Sequence, residues 1–128
     1  MLLIASVPIT FWDYSFCNTL AGKHTIIIRD DVISENTIQI CNDAKDKRWV
    51  LAHELGHQYW HLGLSLWERD EYRKLFAESQ ENDFYRDYSK TNVIEDFADV
   101  FWVIVTKKSL ERGDVFQKKI DFIKKTFK

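Results

Sequence analysis

The pentapeptide His53-Glu54-Leu55-Gly56-His57 has the form H-E-x-x-H and constrains this sequence more than any other feature. Two histidines four positions apart project from one face of a helix, so both imidazoles can reach one Zn²⁺ at about 2.1 Å. Glu54 lies about 100° around the helix from His53, and it can face an open metal position without ligating. The motif therefore predicts a helix with His53 and His57 as zinc ligands and Glu54 as general base.

A catalytic zinc needs a third protein ligand, and three residues compete for that place. His61 lies eight residues beyond His53, about 12 Å along a straight helix, so we expect it beside the ligands or in a cleft. Cys41 is disfavoured, because catalytic peptidase zincs seldom use thiolate. Glu95 is the strongest candidate.

Glu95 shares one helical face with Ala98, Asp99 and Trp102. Buried carboxylates need partners, which a zinc ion would supply for Glu95 and a ligand imidazole N–H for Asp99. Ala98 would allow this helix to approach the His53 helix closely. The alternative is a capping box, in which Glu95 bonds back to the Asn92 amide.

This constellation resembles the gluzincin metallopeptidases, in which a Glu on a later helix completes H-E-x-x-H. Residues 88–101 are similar to the Y-x-x-T-N-x-x-E-x-F-A-E-x-F pattern of the anthrax-lethal-factor-like peptidases, which include secreted Pro-Pro endopeptidases. The resemblance covers roughly residues 50–101. It implies that Tyr88 stabilises the oxyanion and that Asp99, where the family has Glu, supports a ligand. Tyr85 competes with Tyr88 for that role.

A second resemblance is to the ImmA/IrrE-type intracellular peptidases, which cleave repressors and also complete their site with a later Glu. His61, four residues after His57, fits this pattern as well. The Thr91-Asn92 step and the spacing of Tyr88 favour the lethal-factor-like family. The choice matters for location, because one family is typically secreted and the other cytoplasmic.

The remaining pattern predicts an α+β fold: a small zincin-like domain with a short N-terminal β-sheet or hairpin, an active-site helix and about three further helices. We expect strands at 25–29 and 37–41, joined by a polar connection at 30–36. Helices are expected at 45–62, capped by Asp43 or Asp46 and ended by Gly63, at 67–79, at 93–107 and in the tail. The sheet should pack on the active-site helix, with its edge strand along the cleft.

The length of 128 residues favours a single domain, which the motif predicts to be a zinc metallopeptidase over residues 1–128, expected to be a monomer. The net charge of −2 favours no nucleic-acid partner, and the hydropathy favours no membrane span. The peptidase interpretation of the motif implies a peptide or protein substrate as the partner. Residues 1–9 suggest a buried strand or apolar arm and make a poor signal peptide, so the chain is cytoplasmic or a secreted protein lacking its signal.

Two points stay open at this stage. Cys17 and Cys41 are expected to be free buried thiols, with a single disulfide as the alternative. The predicted function is zinc-dependent endopeptidase activity with one Zn²⁺ per chain. One rival is a non-catalytic zinc-binding regulatory module. Another is a latent form, in which residues 1–9 or the basic tail would cover the cleft.

Overall fold

The sheet lies at the N-terminal end of the chain, in a computed structural model that describes residues 8–108 and 110–127. Its strands are β1 (Ile9–Trp12), β2 (Gly22–Arg29) and β3 (Val32–Cys41), in the order β1-β3-β2. β2 runs antiparallel to β3, and β1 runs parallel to it. The predicted α+β arrangement, with sheet before helices, is confirmed.

The hairpin between β2 and β3 is tighter than predicted. Its connection is Asp30-Asp31 alone, with Arg29 paired to Val32. Both aspartates have positive φ, 51° and 63°, which a two-residue turn matched to the strand twist requires. The expected connection at 30–36 was too long, because the first half of β3 is mostly exposed and carries no core pattern.

Most of the expectation for residues 1–9 falls on residues 1–7, which lie outside the described part of the chain. The described residues from Pro8 to Trp12 are all exposed, so β1 is not a buried strand. It is held by backbone pairing to β3 across 29 positions of sequence, with Ile9 opposite Ile38.

Four helices follow the sheet. They are α1 (Lys47–Gln58), α2 (Leu66–Ala77), α3 (Val93–Val105) and α4 (Asp114–Thr126). Asp46, not Asp43, caps α1 by accepting a hydrogen bond from the Trp49 amide at 3.1 Å. A wider helical turn, Tyr59–Gly63, extends α1 to the predicted stop. Among the described residues, no helix has the length and hydropathy needed to cross a membrane.

Helix α1 lies between the sheet and α3. Its Val50 packs with Ile38 and Ile40 of β3. On the other side, a Cβ added at Gly56 would lie 2.8 Å from the Ala98 Cα, so only glycine permits this approach. The predicted close contact at Ala98 is confirmed, and it places the histidines of α1 against the acidic face of α3.

A disulfide joins Cys17 to Cys41, with their Cα atoms 5.9 Å apart. The expectation of free thiols was wrong. The short 3₁₀ turn Ser15–Asn18, between β1 and β2, brings Cys17 beside the last residue of β3. The sequence does not indicate this proximity, because the two cysteines are 24 residues apart and the turn shows no hydrophobic periodicity.

A buried polar network joins α3 to α2 and α4. The fully buried Lys119 donates to the Asp83 carbonyl oxygen at 2.8 Å and pairs with Asp96 Oδ2 at 3.1 Å. The Tyr72 hydroxyl donates to the same Asp96 oxygen at 2.8 Å. Burial raises the pKa of Asp96 to about 6 and lowers that of Lys119. This network fixes α3 on a different face from the one that meets α1, since consecutive helix residues such as Glu95 and Asp96 lie about 100° apart around the axis.

Candidate metal centre

The two motif histidines and Glu95 converge on one point. The Nε2 atoms of His53 and His57, one turn apart on α1, are separated by 3.3 Å. Glu95 Oε1 lies 2.9 Å from each of them. Glu95 stands in the first turn of α3, and the α1–α3 contact carries it across to the histidines. The structure therefore brings together all three residues that were predicted as ligands.

These three atoms fit the spacing that a metal ion demands. Donor atoms about 2.1 Å from a tetrahedral zinc lie about 3.4 Å from one another. The observed separations of 2.9, 2.9 and 3.3 Å are close to that value. Two imidazoles and one carboxylate are also a donor set that suits zinc. The cluster can hold a metal ion, with further positions left for water or substrate.

Asn92 caps α3 by accepting a hydrogen bond from the Glu95 amide at 2.9 Å. In a reciprocal capping box the Glu95 carboxylate would turn back to the Asn92 amide. It points to the histidines instead, so only half of that alternative is realised. The cap leaves the Glu95 side chain available to the cluster.

The charges of the cluster favour a cation at its centre. Burial alone would lower the pKa of His53, but its hydrogen bonds with Asp99 and Glu95 raise it to about 9. Burial would raise the pKa of Glu95, yet the two histidines hold it well below its usual range. The surroundings of His53, His57 and Glu95 therefore favour a positive charge among them.

Asp99 is fully buried behind His53. Its Oδ1 accepts from His53 Nδ1 at 2.9 Å, which turns His53 Nε2 towards Glu95. Asp99 also accepts from Arg86 Nε at 2.9 Å, Arg86 Nη2 at 3.1 Å and Ser89 Oγ at 2.7 Å. The sequence predicted the histidine partner of Asp99. It missed Arg86 and Ser89, although a buried carboxylate with several lone pairs signals a need for further donors.

Glu54 lies beside the three ligand candidates and is not part of their cluster. Its side chain is buried, and Oε2 lies 3.5 Å from the position that a Cβ on Gly22 would occupy. Burial raises the pKa of Glu54, and the nearby His57 and His53 partly offset this effect. A cavity of about 280 Å³ opens here, bounded by residues 19–22, Trp49 and Tyr88.

Tyr88 borders this cavity, and Tyr85 does not. The Tyr88 ring lies 6.4 Å from the His53 ring, and 41% of the residue is exposed. Burial and the neighbouring Glu95 charge raise the pKa of Tyr88, so it keeps its proton at neutral pH. Tyr85 instead packs on Trp102, with their ring centroids 5.0 Å apart. Of the two tyrosines, Tyr88 is placed to donate a hydrogen bond into the site.

The other candidates for the third ligand lie elsewhere. Cys41 is bonded to Cys17. His61 is in the wider turn after α1, with its ring 6.3 Å from that of His24 on β2. Burial and the charges of His24 and His57 lower the pKa of His61 to about 4. His61 is therefore a neutral residue near the site. Within the described part of the chain, it forms no hydrogen bond with the three ligand candidates.

A larger groove of about 560 Å³ lies between the C-terminal part of α3 and α4. Its walls include Val103, Leu110 and Ile120, and none of the ligand candidates borders it. The smaller cavity is the one bordered by His53, Glu54 and Tyr88. Comparisons of the chain with protein-family models, curated proteins and solved structures found no significant match.

Proposed function

We propose that this chain is a zinc-dependent endopeptidase of the gluzincin type, most similar to the lethal-factor-like peptidases. One Zn²⁺ per chain would be held by His53, His57 and Glu95. The observation that supports this best is the convergence of His53 Nε2, His57 Nε2 and Glu95 Oε1 within 3.3 Å, with Glu54 beside them. A purely structural zinc site usually has four protein ligands and needs no adjacent carboxylate.

Zinc bound there would lower the pKa of a coordinated water to about 7 and polarise the scissile carbonyl. The chain supplies the remaining chemistry. Glu54 accepts a proton from the attacking water and delivers it to the leaving amine, a role that its raised pKa favours. Tyr88 donates a hydrogen bond to the oxyanion, typically worth about 3 kcal/mol. Asp99 holds His53 in the tautomer that leaves Nε2 free.

The site is built to receive an extended peptide. β2 is an edge strand of the sheet, and Gly22 at its start lies beside Glu54. A substrate strand can pair with the free edge of β2 and so pass the ligand cluster. The cavity bounded by residues 19–22 and Trp49 would take one side chain of that substrate.

The disulfide indicates the kind of compartment in which the proposed peptidase acts. Disulfides persist in oxidising compartments and are rare in the cytosol. The Cys17–Cys41 bond therefore favours a secreted, lethal-factor-like peptidase over a cytoplasmic repressor-cleaving enzyme of the ImmA/IrrE type.

The test compares wild type with Glu54→Gln, using metal analysis and a peptide library read by mass spectrometry. We expect both proteins to bind zinc and only wild type to cleave, since losing a general base costs about 10²- to 10⁴-fold. Glu78→Gln, which neutralises an exposed carboxylate just after α2, is the matched control and should cleave like wild type. Equal cleavage by Glu54→Gln would refute the assignment, as would a wild type that binds no zinc after reloading.

A further inference from the structure

The short 3₁₀ turn Asp87–Lys90 is fastened to Asp99 on both sides of Tyr88. Arg86, just before the turn, donates to both carboxylate oxygens of Asp99, at 2.9 and 3.1 Å. Ser89 donates to Oδ2 at 2.7 Å. Of the two residues between these anchors, Tyr88 borders the cavity beside Glu54. The Asp99 carboxylate, which also orients His53, therefore helps to fix the position of Tyr88.

The Arg86 guanidinium also lies over two aromatic rings. Its central carbon lies 4.6 Å from the Trp49 ring centroid and 4.9 Å from that of Tyr88. The Trp49 ring in turn stacks on His53, with centroids 5.6 Å apart. Arg86, Asp99, His53 and Trp49 thus form a closed circuit of contacts, and Tyr88 is attached to it through Arg86.

We propose that Arg86 is a positioning residue that sets the Tyr88 phenol and the His53 imidazole in one fixed arrangement. Its catalytic consequence rests on the proposed peptidase function; its structural consequence does not. Arginine suits this task, because a planar fork can bind both oxygens of a carboxylate while its two faces stack on rings. Lysine keeps the charge but has neither the fork nor the flat faces.

The experiment replaces Arg86 with Lys and uses Arg73→Lys as the matched control. Arg73 also pairs with a carboxylate, Asp70 at 2.7 Å, and lies 5.4 Å from a tryptophan ring, but on α2 away from the cluster. Hydroxyl-radical footprinting of the metal-free proteins, read by mass spectrometry, measures access to Tyr88, with Tyr14 as internal reference. We expect faster oxidation of Tyr88 in Arg86→Lys and no change in Arg73→Lys.

Ser89→Ala removes the second anchor of the same turn and should also raise the Tyr88 rate, by a smaller factor. Thermal melting would reveal whether Arg86→Lys has misfolded. In that case Ser89→Ala still tests the proposal. An unchanged Tyr88 rate in both folded variants would overturn the proposal. Since this readout needs neither metal nor substrate, it decides the role of Arg86 even if the peptidase assignment fails.

Zinc affinity and turnover test the consequence for the site. Arg86→Lys should weaken zinc binding about tenfold in competition with a chelator, through the loosened Asp99. It should lower kcat with little change in KM, and this loss should be smaller in the Tyr88→Phe background, where only the effect through His53 remains. Fully additive losses, or unchanged affinity in a protein that binds zinc, would overturn the proposal. A wild type without zinc or cleavage would count against the peptidase assignment only.

Discussion

His53 and Asp99 are 46 residues apart and share a hydrogen bond of 2.9 Å between Nδ1 and Oδ1. In Asp99→Asn, an amide N–H₂ must face either His53 or the donors of Arg86 and Ser89, and each choice sets donor against donor. We expect zinc affinity, measured by chelator competition, to fall about 10- to 100-fold. Asp70→Asn, at an exposed position on α2, should bind zinc like wild type. Equal affinity in both variants would show that Asp99 does not support the ligand.

The Cys17–Cys41 bond closes a loop across 24 positions of sequence. Removing such a cross-link typically costs about 3 kcal/mol, because the unfolded chain gains freedom. We expect the double variant Cys17→Ser, Cys41→Ser to lose about that much unfolding free energy in urea. A reductant should shift the wild-type midpoint and leave that of the double variant unchanged. If the wild-type unfolding midpoint were the same with and without reductant, the disulfide would not contribute to stability.

Lys119 and Asp96 form an ion pair in which both side chains are fully buried. Lys119→Met leaves Asp96 buried without its cation, which typically costs about 3–5 kcal/mol. Adding Asp96→Asn should recover most of that loss, because no buried charge then remains unpaired. Urea unfolding measures both effects, with Lys124→Met, exposed on the same helix, as control. A small loss in the single variant would mean that water reaches Asp96.

The pKa of His53 in the metal-free protein is raised to about 9, above its usual 6.5. Its protonated form therefore stabilises the fold fully below pH 6.5, and that contribution is lost as pH rises through about 9. Zinc must displace this proton. We expect zinc uptake at pH 7 to release protons and zinc affinity to weaken as pH falls. Titration calorimetry in buffers of different ionisation enthalpy measures the release, and identical heats after correction for dilution would contradict it.

The helices and the ligand cluster could be predicted because their signals are local or chemically specific. Apolar spacing and the caps Asp46 and Asn92 fix α1 and α3 to within a few residues. The H-E-x-x-H spacing and the unclaimed third ligand pointed to Glu95, which the structure places 2.9 Å from both histidines. Such patterns depend on one helix face or one ion, so no distant contact is needed to recognise them.

The rest depends on contacts between distant parts of the chain. β1 is exposed and is recognisable only by its pairing with β3. The Cys17–Cys41 bond needs that pairing and the 3₁₀ turn after it. Arg86 and Ser89 stand in a polar segment without periodicity, and their role appears only once Asp99 is known to be buried. Polar residues that serve a buried charge leave little trace in local sequence.

Helix α3 presents Glu95, Asp96 and Asp99 to three different partners: the His53–His57 pair, Lys119 and Arg86. A shift of the helix by one residue rotates its side chains by about 100°. Such a slip would turn all three carboxylates away from their partners at once. The apolar side chains of α3 impose no such condition, because one aliphatic or aromatic contact can replace another. The three acids therefore select a single register and rotation for α3 among the many that hydrophobic packing alone would accept.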